Sequence, residues 1–274
     1  MTDKYAVIGN PIGHSKSPII HAAFARQTNQ DISYEAILAP LDDFEATVKD
    51  LIAQGYKGVN VTVPFKFVAF DICDSLSVRV KSAGANAVNT LVNINGSIHG
   101  DNTDGIGLRS DIEKNLGFEI AGKHILILGA GGAAYGISNS LIGVKSITIA
   151  NRTLVNAQAL EIVMRFSHND VQSKIFERLD RSYDLIINAT SAGLTDAALP
   201  IPSMIFGKNS LAYDMMYGRE TPFMAQARAA GAQVADGLGM LVEQAAEAFY
   251  IWRNVRPDTQ PVIHMVRALQ MEKS

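Results

Sequence analysis

The apolar run Ile125-Leu126-Ile127-Leu128 passes directly into Gly129-Ala130-Gly131-Gly132-Ala133-Ala134, and no other feature restricts the fold of this chain as strongly. A short apolar strand that breaks into a glycine-rich turn ahead of a helical pattern reads as a dinucleotide-binding crossover. Gly129 supplies the tight bend, Gly131 lets the backbone approach a pyrophosphate, and Ala134 is small enough for helix and strand to pack closely. Unpaired N–H groups and the positive end of the helix dipole favour an anion at that helix start. The following strand runs into Asn151-Arg152-Thr153, about twenty residues after the first glycine, where an NAD-binding domain offers a carboxylate to the ribose hydroxyls. Arg152 stands there instead, and a planar guanidinium suits a ribose 2′-phosphate. The expected cofactor is NADP(H). An ordinary glycine-rich turn in an α/β domain is the alternative that the turn and the arginine alone leave open.

A chain of 274 residues that is 47% hydrophobic can bury a large core. The glycine turn lies near its middle, so about a hundred residues precede the cofactor domain and must form a second one. A net charge of -3 without any block of Lys or Arg argues against nucleic acid or an anionic membrane as partner. The partners expected are small molecules. A single cysteine, Cys73, cannot form an internal disulfide, which fits a reducing compartment; its expected role is that of a small buried apolar residue. The first residues enter strand-like sequence at once, which leaves no room for a signal peptide. The uncharged stretch 125–144 contains glycines, Ser138, Asn139 and Ser140 and reads as a buried strand-turn-helix, not a membrane span.

Short β-branched runs alternate with helical patterns, the signature of α/β units with a largely parallel sheet. Strands are predicted over 5–9, 33–38, 58–63 and 87–94, and then over 125–128, 147–150, 185–188, 211–214 and 233–235. Ser17-Pro18 supplies a capping hydroxyl and an N1 proline to a helix over 19–27, and Asp42-Asp43 precedes one over 44–54. Further helices are predicted over 238–252 and 261–270, returning to the first domain, and the junction between domains falls near 105–107.

Two polar segments follow strand ends, where open α/β sheets place their ligands. One is Asn60-Val61-Thr62-Val63-Pro64-Phe65-Lys66 and the other Gly100-Asp101-Asn102-Thr103-Asp104-Gly105. Taken singly, Lys66 reads as a solvated surface charge and Asp104 as a turn residue or helix cap. His14 and His21 read as loop and helix-surface residues, and no cluster has metal-ligand spacing.

These segments, together with Gly9 to Pro18, Ala87-Val88-Asn89-Thr90, Asp236-Gly237-Leu238-Gly239-Met240-Leu241 and Gln244, resemble shikimate dehydrogenase. The matches span nearly the whole chain in the family's order. The resemblance implies an α/β protein of two domains, an N-terminal substrate domain with a mostly parallel sheet (1–104 plus 242–274) and a Rossmann-like NADP-binding domain (105–241). It implies NADPH-dependent reduction of 3-dehydroshikimate to shikimate in aromatic amino-acid biosynthesis, by a cytoplasmic monomer or homodimer. Lys66 becomes the acid/base with Asp104 beside it, and Ser15, Ser17, Thr62, Asn89, Asp104, Tyr217 and Gln244 become substrate contacts. Cofactor contacts would come from Gly129, Ala130, Gly131, Gly132, Ala133, Asn151, Arg152, Thr153, Thr190, Met215 and Gly237. Hydroxyl and amide groups suit a polyhydroxylated ring because they both donate and accept. Two positions depart from the family pattern: Asn156 stands where a second arginine is expected for the 2′-phosphate, and Val78 where many members carry an acid. A related quinate/shikimate dehydrogenase using NAD and a non-catalytic metabolite sensor of the same fold are the rival readings.

Overall fold

The structure is a computed structural model that describes residues 2–84, 86–192 and 198–271. Its backbone forms two compact units. The first takes the chain up to Ser82, then Asn86–Gly107, and again everything from Leu241 onward; the second is chiefly Leu108–Met240.

In the first unit β1 (Asp3–Gly9), α1 (Ser17–Thr28), β2 (Ile32–Leu38), α2 (Phe44–Ala53) and β3 (Tyr56–Val61) form two crossovers, β1 pairing in parallel with both β2 and β3. Then come α3 (Lys66–Asp71), β4 (Ser75–Leu76), α4 (Val78–Ala83), β5 (Thr90–Ile94), β6 (Ser97–Asp101) and α5 (Asp104–Ser110). The six-stranded sheet has the order β2-β1-β3-β5-β6-β4. Parallel pairs outnumber antiparallel ones, β5 alone running against its two neighbours. Ala6, Ile8, Val59, Val61 and Leu91 bring the strands into one core with Phe44, Val48 and Leu51 of α2.

Local expectations needed correction here. The strand predicted over 58–63 stops at Val61, because Phe65 N–H turns back onto the Thr62 carbonyl at 3.0 Å and Pro64 offers no donor. The strand predicted over 87–94 begins only at Thr90, since Val88 N–H is taken by the Lys66 carbonyl at 2.9 Å. Neither predicted cap forms: Lys16 and Asp43 occupy the N-cap positions of α1 and α2, and no side chain caps either helix. Cys73 is half-buried, with its thiol on the Ala69 carbonyl. Burial pushes that thiol up to about 12, which keeps it protonated and unreactive.

The second unit opens where α5 runs on into a π-turn, Asp111–Asn115. It continues with β7 (His124–Leu128), α6 (Gly132–Ile137), β8 (Ser146–Ala150), α7 (Leu154–Met164), β9 (Val171–Lys174), β10 (Tyr183–Asn188), β11 (Phe206–Asp214), α8 (Pro222–Ala229) and β12 (Gln233–Asp236). Its sheet, β12-β11-β10-β7-β8-β9, is parallel at every pairing. Such a sheet is covered on both faces, and its strands are apolar at successive positions. Ile125 and Ile127 accordingly enter one core with Leu185, Ile187, Leu211 and Tyr213, while Leu126 and Leu128 enter the opposite one with Ile186 and Ala212. Counted from β7 the order is that of the doubly wound dinucleotide-binding sheet, and the direction of winding reverses between β7 and β10.

The chain then re-enters the first unit through α9 (Leu238–Arg253) and α10 (Gln260–Met271). Phe249 meets Phe24 edge-on at 5.8 Å between ring centres, and Trp252 stacks on Tyr5 at 4.8 Å. Trp252 also donates from Nε1 to the Leu91 carbonyl at 3.1 Å, and Arg253 pairs with Asp3. A Cβ on Gly58 would lie 2.2 Å from Trp252 Nε1, so only glycine lets the indole lie across β3.

Candidate active site

Lys66 is the first residue of α3, carried there by the turn that follows β3. The turn is anchored by Phe65, buried and stacked on Phe44 at 4.6 Å. The N-terminal end of a helix disfavours a cation, and no acidic residue stands in this helix's first turn. Compensation comes from elsewhere in the chain: Lys66 Nζ donates to Asp104 Oδ2 at 2.5 Å, the two side chains being 13% and 7% exposed. Asp104 opens α5, and its position is set locally, because its own N–H donates to Asn102 Oδ1 at 3.0 Å while Asn102 Nδ2 donates to the Ala87 carbonyl at 2.8 Å.

Asn89 joins this pair to its surroundings. Its side-chain oxygen, Oδ1, accepts from Thr103 N–H at 2.9 Å and from Thr90 Oγ1 at 2.8 Å. Its amide nitrogen faces three acceptors, Asp104 Oδ1 at 2.8 Å, Thr103 Oγ1 at 3.1 Å and Gln244 Oε1 at 3.3 Å. An NH2 group has two hydrogens for these three acceptors, and Thr103 Oγ1 is a further donor to Gln244 Oε1 at 3.3 Å. Four of the expected site residues, Lys66, Asn89, Asp104 and Gln244, thus form one hydrogen-bonded cluster. Thr103, fully buried within it, belongs to the same cluster although the sequence reading assigned it no role.

Ser15, Ser17 and Thr62 belong to the same unit and are held differently. Ser17 N–H donates to Ser15 Oγ at 3.3 Å, which replaces the expected cap. Thr62 follows β3, its N–H on the Ile8 carbonyl at 2.9 Å. Asn60, part of the strand-end motif but without an expected role, also reaches Asn89: its Nδ2 donates to the Asn89 backbone carbonyl at 3.2 Å and its Oδ1 accepts from Tyr34 Oη at 2.7 Å. A buried asparagine near a strand end, with no turn to cap, was the signal available. His21 corrects another expectation. It is wholly buried, with its ring stacked on Tyr34 at 4.0 Å and 5°. Neither ring nitrogen has a hydrogen-bond partner of good geometry; burial therefore holds the imidazole down at about 3, offset only in part by nearby Asn60.

The expected cofactor residues all lie in the second unit. Gly129 follows β7 with φ +99°, and a Cβ there would press to 3.1 Å on the Ala189 backbone and Thr190 Cγ2 at the end of β10. The turn after β7 and Thr190 are thereby in contact at the switch point. Gly131 is extended at the N-cap of α6 with no capping side chain, and a Cβ on it would meet nothing within 4 Å. Ala130, Gly132 and Ala133 complete this turn and are partly exposed. At the end of β8, Asn151 Nδ2 donates to the Thr153 carbonyl at 2.9 Å, leaving Arg152 exposed. Asn156 is exposed on the first turn of α7. A Cβ on Gly237 would lie 2.4 Å from the Met215 carbonyl oxygen, so those two segments touch through backbone. The ends of β10 and β11 are tied by a pair that sequence reading missed: Asn188 Nδ2 donates to buried Asp214 at 3.1 Å, and Asn188 Oδ1 accepts from Thr190 Oγ1 at 2.7 Å. Tyr217, expected as a substrate contact, belongs to this second unit, half-buried, its phenol raised by burial.

An open glycine turn at a helix start, a close-packed crevice beside it and an exposed guanidinium after the second strand fit a phosphorylated dinucleotide. Comparison with known proteins agrees. Residues 7–91 match the family described as shikimate dehydrogenase substrate binding domain, 111–195 match shikimate / quinate 5-dehydrogenase, and 237–267 match the shikimate 5'-dehydrogenase C-terminal domain. The chain is 57% identical to the shikimate dehydrogenase (NADP(+)) of Methylobacillus flagellatus, over 97% of this chain and 99% of that one. Among solved structures, an Ael1 enzyme from Pseudomonas putida superposes with a TM-score of 0.89 at 46% identity, covering 96% of this chain and 98% of that one. Shikimate 5-dehydrogenase from Thermus thermophilus, solved in complex with NADP(H) and shikimate, gives 0.86 at 32% identity over 97% and 99%.

Proposed function

Because the chain belongs to the shikimate dehydrogenase family, we propose that Lys66 and Asp104 carry the proton transfer of that family's reaction, the reversible NADPH-dependent reduction of 3-dehydroshikimate to shikimate. The protein is an NADP-dependent oxidoreductase of aromatic amino-acid biosynthesis, and its substrate is a small molecule. The observation that carries the residue assignment is the 2.5 Å pair between Lys66 and Asp104, enclosed by amide and hydroxyl groups. NADPH, when bound, supplies a hydride. The residues around Gly129, Gly131 and Thr190 would hold its pyrophosphate and Arg152 its 2′-phosphate, with Met215 and Gly237 beside it.

The protein's own part is the proton. Reduction of a ketone puts negative charge on oxygen, and an ammonium within hydrogen-bond reach stabilises that charge and then donates. Lys66 takes this role, and in the reverse direction it receives the proton from the hydroxyl. Asp104 holds the ammonium by one oxygen and is itself held by Asn89 through the other, so the donor is fixed before substrate arrives. Asn89, Gln244, Ser15, Ser17, Thr62 and Tyr217 address the ring hydroxyls. The first unit is the substrate-binding domain and the second the NADP-binding domain. The lone cysteine supports a cytoplasmic enzyme, and the absence of a basic block speaks against a nucleic-acid partner; no helix among the described residues is long and apolar enough to cross a membrane. Initial rates with shikimate and quinate, each against NADP and NAD, test the reading, and turnover of quinate with NAD would reverse it. Lys66→Ala should lower kcat and kcat/KM together by at least about a hundredfold with KM little changed. A raised KM with kcat intact would make Lys66 a binding residue only.

A further inference from the structure

Glu247 stands one helical turn beyond Gln244 on α9 and is buried although charged. Two guanidinium groups meet it: Arg256 Nη1 lies 2.8 Å from Oε2 and Arg79 Nη2 donates to Oε1 at 3.1 Å. Arg79 comes from α4 and does more than pair. Its Nη1 donates to the Asn102 carbonyl at 3.3 Å, and its Nε lies 3.8 Å from Asp101 Oδ1. That carboxylate oxygen also accepts from Asn102 N–H at 2.7 Å and from Ser77 Oγ at 2.8 Å. One guanidinium therefore grips both the helix that bears Gln244 and the turn that bears Asp104.

We propose that Arg79 is a positioning residue of the reaction, whose fork sets the spacing between Gln244 and Asp104 by holding Glu247 and the Asn102 carbonyl at once. The inference rests on Asp104 and Gln244 acting on substrate as proposed above. The geometry needs arginine in particular. A guanidinium presents its donors in a rigid plane and serves a carboxylate and a carbonyl in different directions, whereas an ammonium is a point charge that pairs with Glu247 and leaves the turn untied. A cluster that served the fold alone would need only its charge.

Arg79→Lys and Arg79→Met separate the two roles, measured by kcat and KM for shikimate at saturating NADP, KM for NADP at saturating shikimate, and Tm. Arg79→Lys should recover most of the Tm lost in Arg79→Met while kcat/KM for shikimate stays down about tenfold or more, the KM for NADP moving less than about twofold. Full kinetic recovery by lysine would overturn the proposal. So would a joint rise of both KM values in step with the fall in Tm. Should Arg79→Met not fold, Arg79→Lys alone decides by its shikimate parameters. Gln244→Ala serves as the control: an unchanged KM for shikimate there would refute the substrate assignment itself, and the role of Arg79 with it.

Discussion

His21 is neutral in the folded chain because burial disfavours the cation, and nearby Asn60 offsets this only in part. Unfolded, it takes up a proton near its ordinary value of about 6.5. The folded value lies below the unfolded one, so the folded state loses stability as pH falls from about 6.5 toward about 3, with a slope approaching 1.4 kcal/mol per pH unit. Above that window the group contributes no pH dependence. His21→Phe keeps a ring on Tyr34 and should flatten the fall in urea midpoint between pH 7 and pH 4 relative to the parent; identical profiles would show that another group titrates. At the cofactor side, Asn156→Arg would put a second guanidinium on the exposed first turn of α7 near Arg152. One charge-assisted contact contributes about 1.5 to 3 kcal/mol, so NADPH should bind at least about tenfold tighter in a fluorescence titration, and an unchanged affinity in a folded variant would remove the account of that substitution. Of the site, the residue types and their motifs were legible in the chain. The meeting of Lys66 with Asp104 was not, since spacing says nothing of which strand ends the sheet brings together; the family resemblance supplied it.

Elements were legible where their signal was unmixed. The apolar runs of β7, β8 and β10 and the long helices α9 and α10 lie where periodicity put them, while β11 begins at Phe206, five residues ahead of the predicted 211–214, through the polar stretch Gly207-Lys208-Asn209-Ser210. What escaped was the β5–β6 hairpin, although Asn95-Gly96 closes it with φ of 54° and 94°. That dipeptide is the strongest short-range hairpin signal, and the mixed polar sequence of β6 hid it, because Ser97-Ile98-His99-Gly100-Asp101 carries no run of β-branched or aromatic residues to mark a strand. The start of α9 shows the opposite economy, a glycine fixed by what lies against it. A Cβ on Gly239 would fall 1.8 Å from Asp111 Oδ1, and Asp111 is buried and held by Tyr213 Oη at 2.6 Å and Asn115 Nδ2 at 2.9 Å. Alanine would gain about 1 kcal/mol of helix propensity and lose more to overpacking and a displaced buried acceptor. Gly239→Ala should therefore destabilise by about 2 kcal/mol in denaturant melts; a stabilised variant would show that Asp111 moves aside freely.

At the scale of the molecule, the chain leaves its first unit after Gly107 and rejoins it at Leu241. The returning helices bring Phe249 against Phe24, Trp252 against Tyr5 and across Gly58, and Arg253 to Asp3. A fully buried aromatic is worth about 1.5–3 kcal/mol; Phe249 is buried and Trp252 half-buried, so the two make up a large share of the stability of a domain. A chain stopped at residue 240 should keep slow amide exchange in the parallel sheet of the second unit and lose it in β1 and α1; protection of β1 in that fragment would mean the first sheet stands without α9. During synthesis the order follows from the same connection. The ribosome delivers every strand of the later-numbered sheet before it delivers the helix that covers the earlier one, so the half of the protein made first is the half that finishes last. Until residue 253 has emerged, Tyr5, Phe24 and His21 wait uncovered, and a nascent chain in that state is where a chaperone would find its apolar handhold.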